Sequence, residues 1–152
     1  MKYDRRRPME RPRPSFATLA RTAIEKHVPE ARGAEAWWSL GNNAVWVRWP
    51  IESAVFAYLG INRHLNWVSG EAGISRAPVA LGALYALPGV PALPVDGYRI
   101  RLGHLVENND RWWPVGHGET ELIDRLEWLA LQLRVKGNAY FSRYPEPARS
   151  ER

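Results

Sequence analysis

The chain has 152 residues, no cysteine and a formal net charge of +5. That length suits one domain with a core of its own, and the missing cysteine excludes disulfides, a thiol nucleophile and zinc held by thiolates. No apolar run approaches the roughly 20 residues of a membrane span, and the stretch 16–28 is broken by Arg21, Glu25, Lys26 and His27, which argues against a secretory signal and leaves a cytoplasmic location as the expectation.

The charge is unevenly placed. Residues 1–14 carry six basic side chains against two acidic ones, so +4 of the total sits there, and the other 138 residues hold 15 basic and 14 acidic side chains. With three prolines and almost nothing to bury, this tail is expected to be disordered. A folded α+β domain is expected over 15–144, with a flexible polar tail at 145–152.

Ser15 sits where a helix N-cap belongs. Phe16, Leu19, Ala20, Ala23, Ile24 and Val28 follow at helical spacing and Pro29 ends the pattern, which predicts a helix over 16–28. Residues 36–40 and 44–49 flank Gly41-Asn42-Asn43 and read as a hairpin, with Pro50 breaking the run. The segment 53–61 (SAVFAYLGI) is apolar on both faces, the pattern of a central strand. A fourth strand is predicted over 64–68, and Gly70-Glu71-Ala72-Gly73 reads as a turn or loop.

Residues 77–97 contain Pro78, Pro88, Pro91 and Pro94 but one charge, Asp96. Proline forbids a central strand or a long helix there, and the apolar character predicts a connector lying against the body, with a short helix over 79–87. Over 98–106, Tyr98, Ile100, Leu102, His104 and Val106 alternate with Arg99 and Arg101, the mark of a half-buried strand with its arginines outward. Glu107-Asn108-Asn109-Asp110 is a polar turn. Leu122, Ile123, Leu126, Leu129, Ala130 and Leu133 then form an apolar helical stripe. Acidic residues stand at its start, and Gly137 is placed to end it. Residues 139–144 add a short strand or dock. The expected fold class is α+β: an antiparallel sheet of about five strands with an N-terminal and a C-terminal helix packed on it.

The chain has no GxxxxGK[ST], GxGxxG, HExxH or GxSxG pattern, so no cofactor or metal is expected. A loop-built catalytic site would have to draw on His64, Glu71, His104 and Asp110. No two histidines have the i, i+4 spacing of a helical metal site, and His104 on an apolar strand face reads as a core residue. Eight tryptophans are unusual in 152 residues. In an extended chain each of the doublets Trp37-Trp38 and Trp112-Trp113 sends its rings to opposite faces, so one ring of each needs a cover: the tail, a helix or a partner. Asn108, Asp110 and Arg111 lie alongside the second doublet, and Arg99 and Arg101 stand outward on the strand before it. Aromatic rings with arginines are the composition of an interface, which makes Trp112, Trp113, Arg99, Arg101, Asp110 and Arg111 the candidate partner-binding set. The competing reading is a Trp pair pinning a loop to the last helix.

The layout of 98–144, from YRIRLGHL through DRWWPV and an amphipathic helix to GNAYFSRY, resembles small bacterial α+β proteins related to the immunity proteins of polymorphic-toxin systems. The resemblance carries over no catalytic residue and implies a protein-binding role. Two alternatives stand beside it. One is nucleic-acid association through Arg5, Arg6, Arg7, Arg11 and Arg13 with stacking on exposed Trp. The other is an enzyme built on the four loop residues named above. No membrane association is expected.

Overall fold

The computed structural model describes residues 14–52, 54–89 and 92–142. The arginine-rich segment and the C-terminal tail lie outside these, apart from Pro14. The first helix, α1, spans Phe16–His27. The Ser15 hydroxyl accepts the Thr18 amide at 3.1 Å, the predicted N-cap. A single 3-10 turn at Pro29–Ala31 leads to four strands in succession: β1 (Ala36–Leu40), β2 (Ala44–Glu52), β3 (Val55–His64) and β4 (Trp67–Ser75). Then come α2 (Leu81–Ala86), β5 (Ala92–Leu93), β6 (Gly97–Arg101), α3 (Leu102–Val106), β7 (Trp113–Pro114) and α4 (Glu119–Phe141).

All pairings are antiparallel, in the order β1-β2-β3-β4-β6-β5, with β7 also on β4. Five strands carry the sheet and two are two-residue pieces, so the predicted α+β class holds. The first hairpin forms as expected, with Leu40 opposite Ala44, and β3 is central. Four details differ. Pro50 does not end β2, which runs on to Glu52 through an irregularity between Pro50 and Glu52. Residues 64–68 are not a strand: His64 ends β3, Trp67 opens β4, and Leu65-Asn66 is the turn between them. Residues 70–73 lie mid-strand in β4 rather than in a loop, because small residues fit where Leu133 and the Tyr98 carbonyl press close. The alternation of 98–106 serves a strand only as far as Arg101, after which α3 begins.

The sheet is covered on both faces. Against α1 and α4 lie Val45, Val47, Trp49, Ala57, Leu59 and Ile61. On the other face Trp46 and Tyr58 meet Val79, Leu81, Leu84 and Leu93 of the proline-rich segment. That segment is a packed connector carrying the predicted short helix. The helices thus divide between the faces, α1 and α4 on one and α2 on the other. Trp37 and Trp38 point to opposite faces as expected. Trp37 joins the α1 side, with the Arg21 guanidinium 4.2 Å from its ring centroid. Trp38 joins the α2 side, 5.9 Å from the Tyr85 ring.

The α4 stripe is buried through Leu126, Leu129, Ala130 and Leu133, but Gly137 does not end the helix. It is buried mid-helix, where it packs beside Phe141 and Leu59. The added turn runs to Phe141, where a short strand or docked segment was expected over 139–144, and brings Phe141 edge-on to Trp49 with centroids 6.1 Å apart; residues 143 and 144 lie outside the described ones.

On the outside of the α1–α4 seam, Lys26 Nζ donates to both oxygens of Glu127 at 3.1 Å, and His27 Nε2 lies 3.4 Å from Oε1. The Lys26 hydrogen bond above all holds the Glu127 carboxyl below its ordinary 4.5, against the opposing effect of desolvation and with a lesser contribution from His27. A lowered carboxyl favours the folded state above that ordinary value and loses the advantage as pH falls through the folded one. Glu127→Gln is therefore expected to cost under about 1 kcal/mol at neutral pH, as surface pairs do. Urea titrations over a pH series should show the two proteins converging below pH 4.5.

Candidate functional site

The α2-bearing face of the sheet is covered for part of its length. Where α2 ends, an open cleft of about 630 Å³ remains, a size typical of ligand sites. Its floor is polar. Odd-numbered β4 residues point this way, placing Trp67, Ser69 and Glu71 in a row, and β6 contributes Arg99 and Arg101. Trp67, Tyr85 and Trp112 line the cleft, together with Arg63 and His64. A second hollow of about 370 Å³ shares Glu71, Arg99 and Arg101 and reaches His104 and Asp110.

The floor is a connected hydrogen-bond chain. Trp46 Nε1 donates to Asn62 Oδ1 at 3.1 Å, and Asn62 Nδ2 donates to Glu71 Oε1 at 3.4 Å. Arg99 Nε donates to Glu71 Oε2 at 2.7 Å, with both side chains almost wholly buried. The remaining nitrogens of Arg99 donate to the Leu84 and Leu87 carbonyls at 2.9 and 3.0 Å. These carbonyls belong to the last turn of α2, where a cation is the natural cap. Arg99 is thus a bolt between α2 and the sheet, and not the outward-facing docking residue that the alternation predicted. The acceptors that keep it buried lie on segments distant in sequence.

Arg101 differs. Its Nη1 reaches both oxygens of Asp110, at 3.0 and 2.8 Å, and its Cζ stands 5.4 Å from the Trp112 ring centroid. Its Nε is one of three buried side-chain nitrogens without a partner among the described residues, the others being Nε1 of Trp37 and of Trp49. Trp113 is buried, 5.1 Å from the Trp128 ring, and so pins its segment to α4. Arg111 is exposed and pairs with Glu107 at 3.0 Å. Of the six candidate residues, then, Arg101, Trp112 and the buried Arg99 line the large cleft, and Asp110 anchors Arg101. Trp113 belongs to the interior and Arg111 to the outside.

The four residues of the enzyme reading are brought to one face, but not as a site built from loops. Glu71 is mid-strand with both oxygens engaged. His104 is exposed on α3 rather than buried on a strand, because the chain turns helical at Leu102. Among the described residues no group of three or more His, Cys, Asp or Glu side chains is arranged to hold a metal ion, and no helix is long and apolar enough to cross a membrane.

Residues that the sequence did not single out complete the surface. At the β3–β4 turn, Leu65 has φ 55° and is 75% exposed, and Trp67 beside it is 47% exposed. The Arg63 Nε donates to the Leu65 carbonyl at 2.9 Å and holds the turn. Pairing His64 with Trp67 across a two-residue turn would have revealed the row Trp67, Ser69, Glu71. No family model matches the chain, and neither a curated protein nor a solved structure is significantly similar to it.

Proposed function

We propose that this chain is a protein-binding module that docks a partner segment along the cleft, with the Leu65–Trp67 hairpin tip as its apolar anchor. One observation carries the reading. Leu65 occupies a left-handed conformation at the first of two turn residues, a place that glycine or asparagine ordinarily fills. A leucine there costs about 1–2 kcal/mol and, being exposed, recovers little by burial. A bulky apolar residue kept at a strained, exposed position suggests a role outside the fold. Trp67, Tyr85 and Trp112 extend the apolar surface, and aromatic side chains dominate binding hot spots. The immunity-like resemblance points to the same class of function.

The test separates binding from stability. Leu65→Gly is expected to unfold at the same or a higher temperature than the wild type, yet to lose the partner that the full chain captures from its native host's lysate in the presence of nuclease. A partner retained equally by Leu65→Gly and Trp67→Ala would refute the assignment. Capture of nucleic acid alone, abolished by nuclease or by removing residues 1–14, would favour the arginine tail instead.

A further inference from the structure

The guanidinium of Arg101 is half used. Nη1 is committed to Asp110, whereas Nε has no partner and Nη2 makes no hydrogen bond among the described residues. Nε and Nη2 together form the side edge of the guanidinium, a two-donor fork that matches a carboxylate. The Arg101 side chain is only 12% exposed, so the orphaned Nε is costly. Asp110 cannot reach round to it while bound at Nη1. Glu71, the other carboxylate nearby, is held by Arg99 and Asn62. Among the described residues, Glu71 is also the only acidic one lining the large cleft, against Arg63, Arg99 and Arg101.

Resting on the docking reading above, we infer that the segment the cleft receives is acidic: an Asp or Glu side chain seats on the Nε–Nη2 edge of Arg101, and a neighbouring apolar or aromatic residue packs among Trp67, Tyr85 and Trp112. Nε is closed to water, so seating the carboxylate requires a local shift. Trp112, part-exposed and 5.4 Å from Cζ, is the ring placed to make it.

The experiment is a random peptide display library panned against the full chain, followed by titration of synthetic copies of the enriched peptides. The expected result is enrichment of Asp or Glu next to an aromatic or large apolar residue. Affinity should fall roughly ten- to a hundredfold in Arg101→Gln, the scale of a lost charge-assisted hydrogen bond, and should weaken as salt rises. Arg101→Lys keeps the charge but removes the fork and is expected to rescue little. Thermal melts of both variants show whether the fold survives, and Arg101→Lys carries the test if Arg101→Gln unfolds.

Enriched peptides without an acidic residue, or acidic ones that bind Arg101→Gln as tightly as wild type, would overturn the inference. If those peptides were still lost in Trp67→Ala, the docking reading would stand without it. Binding of indole-3-acetate with no peptide enriched would point to a small-molecule carboxylate and overturn the assignment to a protein segment.

Discussion

Replacing Arg99 by alanine is expected to destabilise the protein by about 3–5 kcal/mol, the range for breaking one member of a buried ion pair. The loss has two parts. The almost wholly buried Glu71 carboxyl is left with only the long Asn62 hydrogen bond. The Leu84 and Leu87 carbonyls lose their donors, so the end of α2 loses its fastening. Glu71→Gln should cost less, because it removes the stranded carboxyl and leaves Arg99 its two carbonyls. Replacing both residues by apolar ones of similar size should recover part of the loss but not all, since only the pair and not the α2 cap is then compensated. Chemical denaturation of the four proteins measures each difference. If Arg99→Ala unfolds within 1 kcal/mol of the wild type, by analogy with an exposed pair, the bolt does not exist.

A single methyl group at position 60 should be nearly as harmful. Gly60 stands opposite Trp46 across the β2–β3 ladder, and the Trp46 indole lies directly over it, filling the space a Cβ would take. Trp46 is fully buried and tied by its Nε1 to Asn62, so its ring cannot swing away freely. Gly60→Ala is expected to cost about 3 kcal/mol, the upper part of the overpacking range. Adding Trp46→Leu should relieve the clash, so the double variant should be more stable than the sum of the two single losses implies. Strict additivity in that cycle would place the glycine's importance in its backbone rather than in the ring above it.

The helices and strands that carry most of the fold were legible in the sequence, because their signals are local. Ser15 before a 3.6-residue stripe gives α1, the Gly41-Asn42-Asn43 turn gives the first hairpin, and SAVFAYLGI gives the centre of the sheet. The misreadings share a cause in contacts made far along the chain. Two glycines around Glu71 look like a loop until a strand is seen to need small residues under Leu133. Gly137 looks like a helix stop until Phe141 is seen to gain Trp49. Arg99 and Arg101 alternate identically, yet one meets Glu71 and the end of α2 while the other meets Asp110, a difference no strand pattern encodes. The cleft was half visible, since Trp112, Arg101 and Asp110 were chosen on composition. Leu65, Trp67 and Tyr85 were not, because strain at a turn and the row of odd β4 residues exist only once the chain is folded.

The left-handed leucine at the hairpin tip also bears on how the protein would respond to selection. A screen rewarding heat resistance alone would find glycine or asparagine at position 65 among its first gains, since relieving turn strain is an easily won improvement. On the docking reading, the winners of that screen would be sturdier and blind to their partner. Any lineage that keeps the partner would go on carrying the strain.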